Sequence, residues 1–370
     1  MISIGGENLI DLVSGAAAAN GLPQYAANPG GSPFNVAMAS GRQGQKVAYL
    51  TPVSEDALGA LLAERLVESK VTLAAGRVPH PTSLAVVSIT DGIPSYAFHR
   101  NGTAERQVTK RALHDDMPAE TKLFHVGSLG LIDGDDADAW EAFFADCRSR
   151  GIMTSLDPNV RPGLIADRDG YIARLRRMMR HVDIFKLSDE DLAWLYTDRP
   201  RETALADCRA DCDAVLFILT LGADGSRVFL GDLEMTAAAP KLEDLADTVG
   251  AGDTYMASIL CWVLEHDLAT RDALGAVGED SLTNATRRAA GAAAMVRCGA
   301  PRQRGWAGPP AHARGGLPRP PPPAVAVGVP PSGCGVVKRR DDRGAGGGGA
   351  WHLLIRLHCC AELHHRGLTS

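Results

Sequence analysis

Residues 247–255 read Asp247-Thr248-Val249-Gly250-Ala251-Gly252-Asp253-Thr254-Tyr255, and an apolar helical pattern follows at once. A glycine-rich turn that opens a helix presents unpaired backbone N–H groups and the positive end of the helix dipole. Together these hold an anion. A carboxylate in such a turn repels a bound phosphate, so Asp253 needs another task. One that fits is taking a proton from a hydroxyl while the N–H groups hold a phosphoryl group in flight. The segment therefore suggests phosphoryl transfer to an alcohol. Gly250-Ala251-Gly252-Asp253 alone would also describe a tight strand-to-helix connection capped by an aspartate. The flanking Asp247-Thr248 and the apolar helix favour the chemical reading.

Four more segments carry residues of the right kind. In Asn28-Pro29-Gly30-Gly31-Ser32-Pro33-Phe34-Asn35 the paired glycines let backbone approach a ligand, and Asn35 can both donate and accept. By itself that stretch is also an ordinary helix start. Asp11, in Gly6-Glu7-Asn8-Leu9-Ile10-Asp11 after the first strand, can accept two hydrogen bonds from a diol, or it is a solvated loop acid. Leu219-Thr220-Leu221-Gly222-Ala223-Asp224-Gly225 is a glycine-rich strand end that suits nucleotide phosphates or a plain turn. In Asp157-Pro158-Asn159-Val160-Arg161-Pro162, Arg161 suits a phosphate or substrate clamp, and Asn159 suits a place near Mg²⁺.

The elements that must position these groups alternate along the chain. Strands are expected at 2–5, 46–50, 84–90, 95–99, 123–126, 153–157, 184–187 and 215–221. A hairpin is expected over 228–238. Helices are expected at 33–43, 57–68, 136–150, 171–181, 254–265 and 284–296. Strand–helix alternation beyond residue 120 implies βαβ units and a mainly parallel sheet. The hairpin at 84–99, turning through Asp91-Gly92, interrupts that order and suggests a small β element outside the main sheet, a candidate lid.

The chain has 370 residues, 45% hydrophobic and 22% charged, with a formal charge of −6. That charge is unevenly placed. Residues 302–370 hold ten Lys and Arg against three Asp and Glu, so the rest of the chain is strongly acidic. An acidic body argues against a nucleic-acid-binding surface. The N-terminus lacks the pattern of a signal peptide and no run of 18 apolar residues occurs, so a cytoplasmic location without membrane association is expected. Eight scattered cysteines do not resemble a secreted disulfide framework. Cys208-x-x-x-Cys212 has the spacing of one helix face, but no second ligand pair accompanies it.

After Pro301 the composition becomes Arg, Gly and Pro, with Pro320–Pro323 and Gly346–Gly349. Such tracts bury too little surface to offset ordering entropy, so residues 301–370 are expected to be disordered. Their origin is read either as a reading-frame change in a GC-rich gene or as a natural extension.

Taken in order, these segments make the chain resemble the ribokinase-like (PfkB) family of carbohydrate kinases, over roughly residues 1–300. The glycine pair with Asn35 is similar to the family's first signature, and Asp247–Asp253 to its second, DTxGAGD. Gly5–Leu12, Asp157–Arg161 and Lys186-Leu187-Ser188-Asp189-Glu190-Asp191 are most similar to the bacterial fructokinase branch. The resemblance implies a Rossmann-like three-layer α/β/α sandwich with a small β-lid at about 12–27 and 84–108. It implies transfer of the γ-phosphoryl group of ATP to a sugar, most simply fructose; 2-keto-3-deoxygluconate, ribose, or a catalytically impaired binder are the rivals.

Residue by residue, it implies Asp253 as base and Gly250, Ala251 and Gly252 as anion hole. Asp11, Gly30, Gly31, Asn35, Arg100 and Arg161 would meet the sugar. Lys186, Ser188, Thr220, Gly222 and Gly225 would border the nucleotide. Asp191 would help organise Mg²⁺, and Asp247 a K⁺ ion. Ser188 and Asp191 stand where the family often has Asn-x-x-Glu, and Pro301-Arg302 departs from the family's C-terminal loop. A homodimer paired through the lid is the further expectation.

Overall fold

The computed structural model describes residues 1–15, 20–90, 93–240 and 250–297. In chain order the strands are β1 (Ile2–Ile4), β2 (Leu9–Ser14), β3 (Tyr25–Gly30), β4 (Val47–Tyr49), β5 (Val53–Ser54), β6 (Val71–Leu73), β7 (Arg77–Val78), β8 (Leu84–Thr90), β9 (Ile93–His99), β10 (Leu123–Gly127), β11 (Met153–Asp157), β12 (Ile184–Ser188), β13 (Leu216–Thr220), β14 (Ser226–Leu230) and β15 (Leu233–Ala237). The helices are α1 (Ser32–Arg42), α2 (Ala57–Glu68), α3 (Lys110–Asp116), α4 (Gly134–Ser149), α5 (Arg168–Met179), α6 (Asp189–Leu195), α7 (Arg201–Ala210), α8 (Ala251–Glu265), α9 (Arg271–Gly275) and α10 (Glu279–Arg297).

Nine strands form one sheet in the order β15-β14-β13-β12-β11-β10-β1-β4-β6. From β13 to β6 every neighbour is parallel; β14 and β15 close the edge as an antiparallel hairpin. Alternate residues feed two cores, as a sheet covered on both faces requires. Ile2, Ile4, Leu123, Met153 and Ile184 pack with α1, α2, α8 and α10 on one face. Phe124, Val126, Leu156, Phe185 and Leu187 pack with α4, α5, α6 and α7 on the other. The result is the expected three-layer α/β/α sandwich.

The chain begins in the middle of this sheet. It builds outward through β4 and β6, then restarts on the opposite side of β1 with β10. That reversal puts the switch point of the sheet at the carboxyl ends of β1 and β10, the usual ligand position in such sheets.

A separate four-stranded sheet has the order β3-β2-β8-β9. Its β8–β9 hairpin falls where the sequence predicts two strands. In the other half Asp11 lies within β2, opposite Asn28 of β3, which removes the alternative reading of a solvated loop acid. Pro29 and Gly30 hide β3 from a propensity reading, but Pro is tolerated on an edge strand, and β3 is one. Cys208 and Cys212 do not share a helix face, because α7 ends at Ala210. Among the described residues, no helix is long and apolar enough to cross a membrane. Residues 298–370 and the turn Asp91-Gly92 lie outside the described residues.

Candidate active site

Gly250 precedes α8 with φ 81°, a left-handed conformation that glycine adopts without strain. The helix starts at Ala251, and its first intrahelical bond runs from the Thr254 amide to the Gly250 carbonyl. The N–H groups of Ala251, Gly252 and Asp253 thus precede the helical ladder and cluster at the positive end of the dipole. Asp253 is the third residue of the first turn. It does not cap the helix; it sits inside it, 7% exposed.

The start of α1 meets that of α8. Ser32 Oγ donates to Asp253 Oδ1 at 2.7 Å, and Asn35 Nδ2 donates to Oδ2 at 2.8 Å. Burial pushes the Asp253 carboxyl above its ordinary range, while these two hydrogen bonds pull against the shift. A proton acceptor less acidic than a free aspartate, in a water-poor crevice, suits general-base work.

Gly31, at φ 112°, makes the close approach of α1 possible: a Cβ there would lie 2.7 Å from the Glu7 carbonyl oxygen. Gly30 closes β3, where a Cβ would fall 2.4 Å from Asp11 Oδ2. The Asp11 carboxylate and the glycine pair therefore share one wall. Asp253, Gly250, Ala251, Gly252, Asn35 and Gly31 form a contiguous group, with Asp11 and Gly30 beside it.

Lys186 lies beneath the α8 start. Its Nζ is 3.6 Å from where a Gly252 Cβ would project and 2.6 Å from Asp157 Oδ2. Burial would lower the lysine pKa, but Asp157 at that distance prevails and raises it, so the lysine keeps its charge. Asp157 was singled out only as a member of its motif; register brings it to Lys186, since β11 and β12 are adjacent.

The other predicted residues are engaged as follows in the fold. Arg100 does not extend free from the small sheet. It is buried and bidentate to Glu105, with Nε to Oε1 at 2.7 Å and Nη2 to Oε2 at 3.1 Å. Asp191 forms a capping box with Ser188 at the start of α6. Its second oxygen accepts the Val160 amide at 2.7 Å. Both carboxylate oxygens are thus tied to backbone, a bracing duty that competes with metal organisation. Arg161 is exposed and folds back onto Asn159 Oδ1 at 2.8 Å. Thr220 ends β13, and Gly222 and Gly225 shape the turn after it, where the Leu221 amide donates to the Gly225 carbonyl at 2.8 Å. Asp247 lies outside the described residues.

The sequence reading missed three buried groups of this edge. Glu7 Oε1 accepts the Ser32 amide at 2.8 Å, while Oε2 has no hydrogen-bond partner among the described residues. Burial pushes the Glu7 carboxyl up to about 7. His125 Nδ1 meets Ser155 Oγ at 3.0 Å, and its Nε2 has no partner. Burial first, then Lys186, pushes that imidazole down to about 3, so it is neutral. Asp157 Oδ1 is the third such atom. Polar residues at the ends of apolar strands were the available signal; their convergence is a product of the sheet order.

Among the described residues no group of three or more His, Cys, Asp or Glu is placed to hold a metal ion. The bare Asp157 oxygen fits a Mg²⁺ ion that arrives on nucleotide phosphates better than a dedicated protein-held metal.

Fold and site together define a Rossmann-like α/β/α protein with a glycine-led helix start beside a buried carboxylate. The model of the pfkB family carbohydrate kinases matches residues 5–301, and the chain belongs to that family. A fructokinase of Rhizobium leguminosarum bv. trifolii is 35% identical, over 77% of this chain and 86% of its own length. Among solved structures, the fructokinase of Xylella fastidiosa with bound ATP superposes with a TM-score of 0.73 at 23% identity, over 82% of this chain and 93% of that one. The fructokinase of Vibrio cholerae O395 with fructose, ADP and a calcium ion gives 0.67 at 24% identity, over 80% and 92%.

Proposed function

We propose that this carbohydrate kinase transfers the γ-phosphoryl group of ATP to the 6-hydroxyl of fructose. The observation that carries the proposal is the Asp253 carboxylate, set among the amides that precede the helical ladder of α8 and held there by Ser32 and Asn35. In this mechanism Asp253 accepts the proton of the sugar hydroxyl. The resulting oxygen attacks the γ-phosphorus, the bond from that phosphorus to the β-phosphate oxygen breaks, and ADP leaves. The amides of Ala251, Gly252 and Asp253 stabilise charge on the transferring group. Lys186 adds a positive charge from below.

Asp11, Gly30, Gly31 and Asn35 form the sugar wall, and Arg161 approaches from the β11 end. Arg100 braces the small sheet through Glu105. Ser188, Thr220, Gly222 and Gly225 border the nucleotide at the ends of β12 and β13. A Mg²⁺ ion would neutralise phosphate charge beside Asp157. The small sheet excludes water from the crevice once sugar is bound, which limits ATP hydrolysis. A cytoplasmic homodimer belongs to the same proposal. The fructokinase relatives support fructose as substrate.

The test is a coupled ADP-release assay on the full chain with fructose, 2-keto-3-deoxygluconate and ribose. ADP release with fructose alone supports the proposal. Preference for another sugar moves the substrate. Sugar-dependent protection against melting without ADP release identifies a binder that has lost its chemistry.

A further inference from the structure

Ser32 has no sugar, nucleotide or metal assignment, yet its side chain reaches the carboxylate on which the chemistry depends. Three restraints fix it. Its amide donates to Glu7 Oε1 at 2.8 Å, and Glu7 is 1% exposed. Gly31 before it is wedged against the Glu7 carbonyl, and Pro33 after it locks φ in the first helical turn. From this anchored position Ser32 Oγ donates to Asp253 Oδ1 across a sequence separation of 221 residues.

We propose that Ser32 is a positioning residue for phosphoryl transfer: braced through its amide on Glu7, it holds the Asp253 carboxylate in one orientation by donating its hydroxyl to Oδ1. The proposal rests on the assignment of Asp253 as base. Asn35 cannot do this alone. It holds only Oδ2, and a sugar bound at the same wall competes for its amide group. Ser32 then remains the neutral donor that stays on the base.

The charged groups facing Asp253 from the packed elements are Lys186 on β12 and Asp157 on β11, and these act on it in opposite directions. The hydroxyl stabilises the charged form directly, so its loss favours the neutral carboxyl. The acid limb of kcat/KM against pH should then move upward. A merely structural role would lower activity at every pH alike and leave the limb in place.

The experiment compares wild type, Ser32→Ala, Ser32→Thr and Asp253→Asn as full chains, with the most active sugar of the panel, from pH 5 to 9. Melting temperatures confirm folding. Alanine keeps the backbone bond to Glu7 and removes only the hydroxyl. We expect its acid limb to shift upward by about one pH unit, with kcat at pH 7 reduced about tenfold. Threonine, which keeps the hydroxyl, should restore the limb. An alanine variant whose acid limb coincides with wild type, beside an inactive Asp253→Asn, overturns the role of Ser32 while leaving the base intact. An Asp253→Asn enzyme with near wild-type kcat overturns the base assignment itself.

Discussion

Asp157 and Asp183 are equally buried, each 2% exposed, at opposite ends of the same stretch of sheet. Asp183 precedes β12 at the amino edge. Its Oδ2 accepts the Thr154 amide and hydroxyl at 2.9 and 3.2 Å, and its Oδ1 meets Arg271 and Arg148 at 2.7 and 3.3 Å. Asp157 ends β11 at the carboxyl edge. It has one Lys186 contact and one bare oxygen. Equal burial with unequal satisfaction separates two tasks. A buried charge with every lone pair engaged holds elements together, whereas an unsatisfied one costs stability and persists where a ligand completes it. The carboxyl edge also holds the bare atoms of Glu7 and His125. It is the end of the sheet built to receive something.

The sharpest test of that division is at Asp253. Asp253→Asn should lower kcat by about a thousandfold without lowering the melting temperature, because burial already disfavours the charge; a coupled ADP assay and a thermal melt check both. The opposite edge should behave in reverse. Asp183→Ala should destabilise by about 3 kcal/mol in denaturant unfolding, with kcat of the folded fraction unchanged. A large loss of kcat there would erase the contrast between the edges.

Glu7 gives an intermediate effect with a definite sign. Its carboxyl is raised from 4.5 to about 7 in the folded state. The folded protein therefore binds the proton more tightly than the unfolded chain between those values, and stability from this group declines as pH rises through that window. Glu7→Gln stays neutral and can still accept the Ser32 amide. Its melting temperature relative to wild type should climb between pH 5 and pH 8; a difference independent of pH would remove Glu7 from the receiving edge. The smallest effect is expected at Arg161, which bonds only within its own loop. Arg161→Ala should raise the KM for sugar or ATP about fivefold and leave the melt unchanged.

Much of this architecture was legible in the sequence, for reasons that can be named. Strands such as Leu123–Gly127 and Leu216–Thr220 are mostly apolar and buried along nearly their whole length because both faces are covered, and helices such as Ala57–Glu68 carry their own caps. Strand β2 was not legible. Asp11 reads as either a diol acceptor or a loop acid until β3 and, some 70 residues on, β8 supply the partners that make Leu9–Ser14 a strand. The partners of Arg100 and Asp191 were equally hidden. A cation near a predicted lid and an acid near a predicted metal site look available in one dimension, but Glu105 and the Val160 amide occupy them in three.

By itself the sequence made the composition of one helix start legible: glycines that free the backbone, amides at the positive end of the dipole where we propose an anion is held, and an aspartate among them. Local composition suffices there because the anion site and the base belong to one turn. Only the tertiary structure decided what holds that base and what lies beneath it. Ser32, Asn35, Glu7, Asp157 and Lys186 meet at one edge because the strand order reverses beside β1, and α8 returns to pack on α1. That convergence arises from strand order and register, which no single segment encodes.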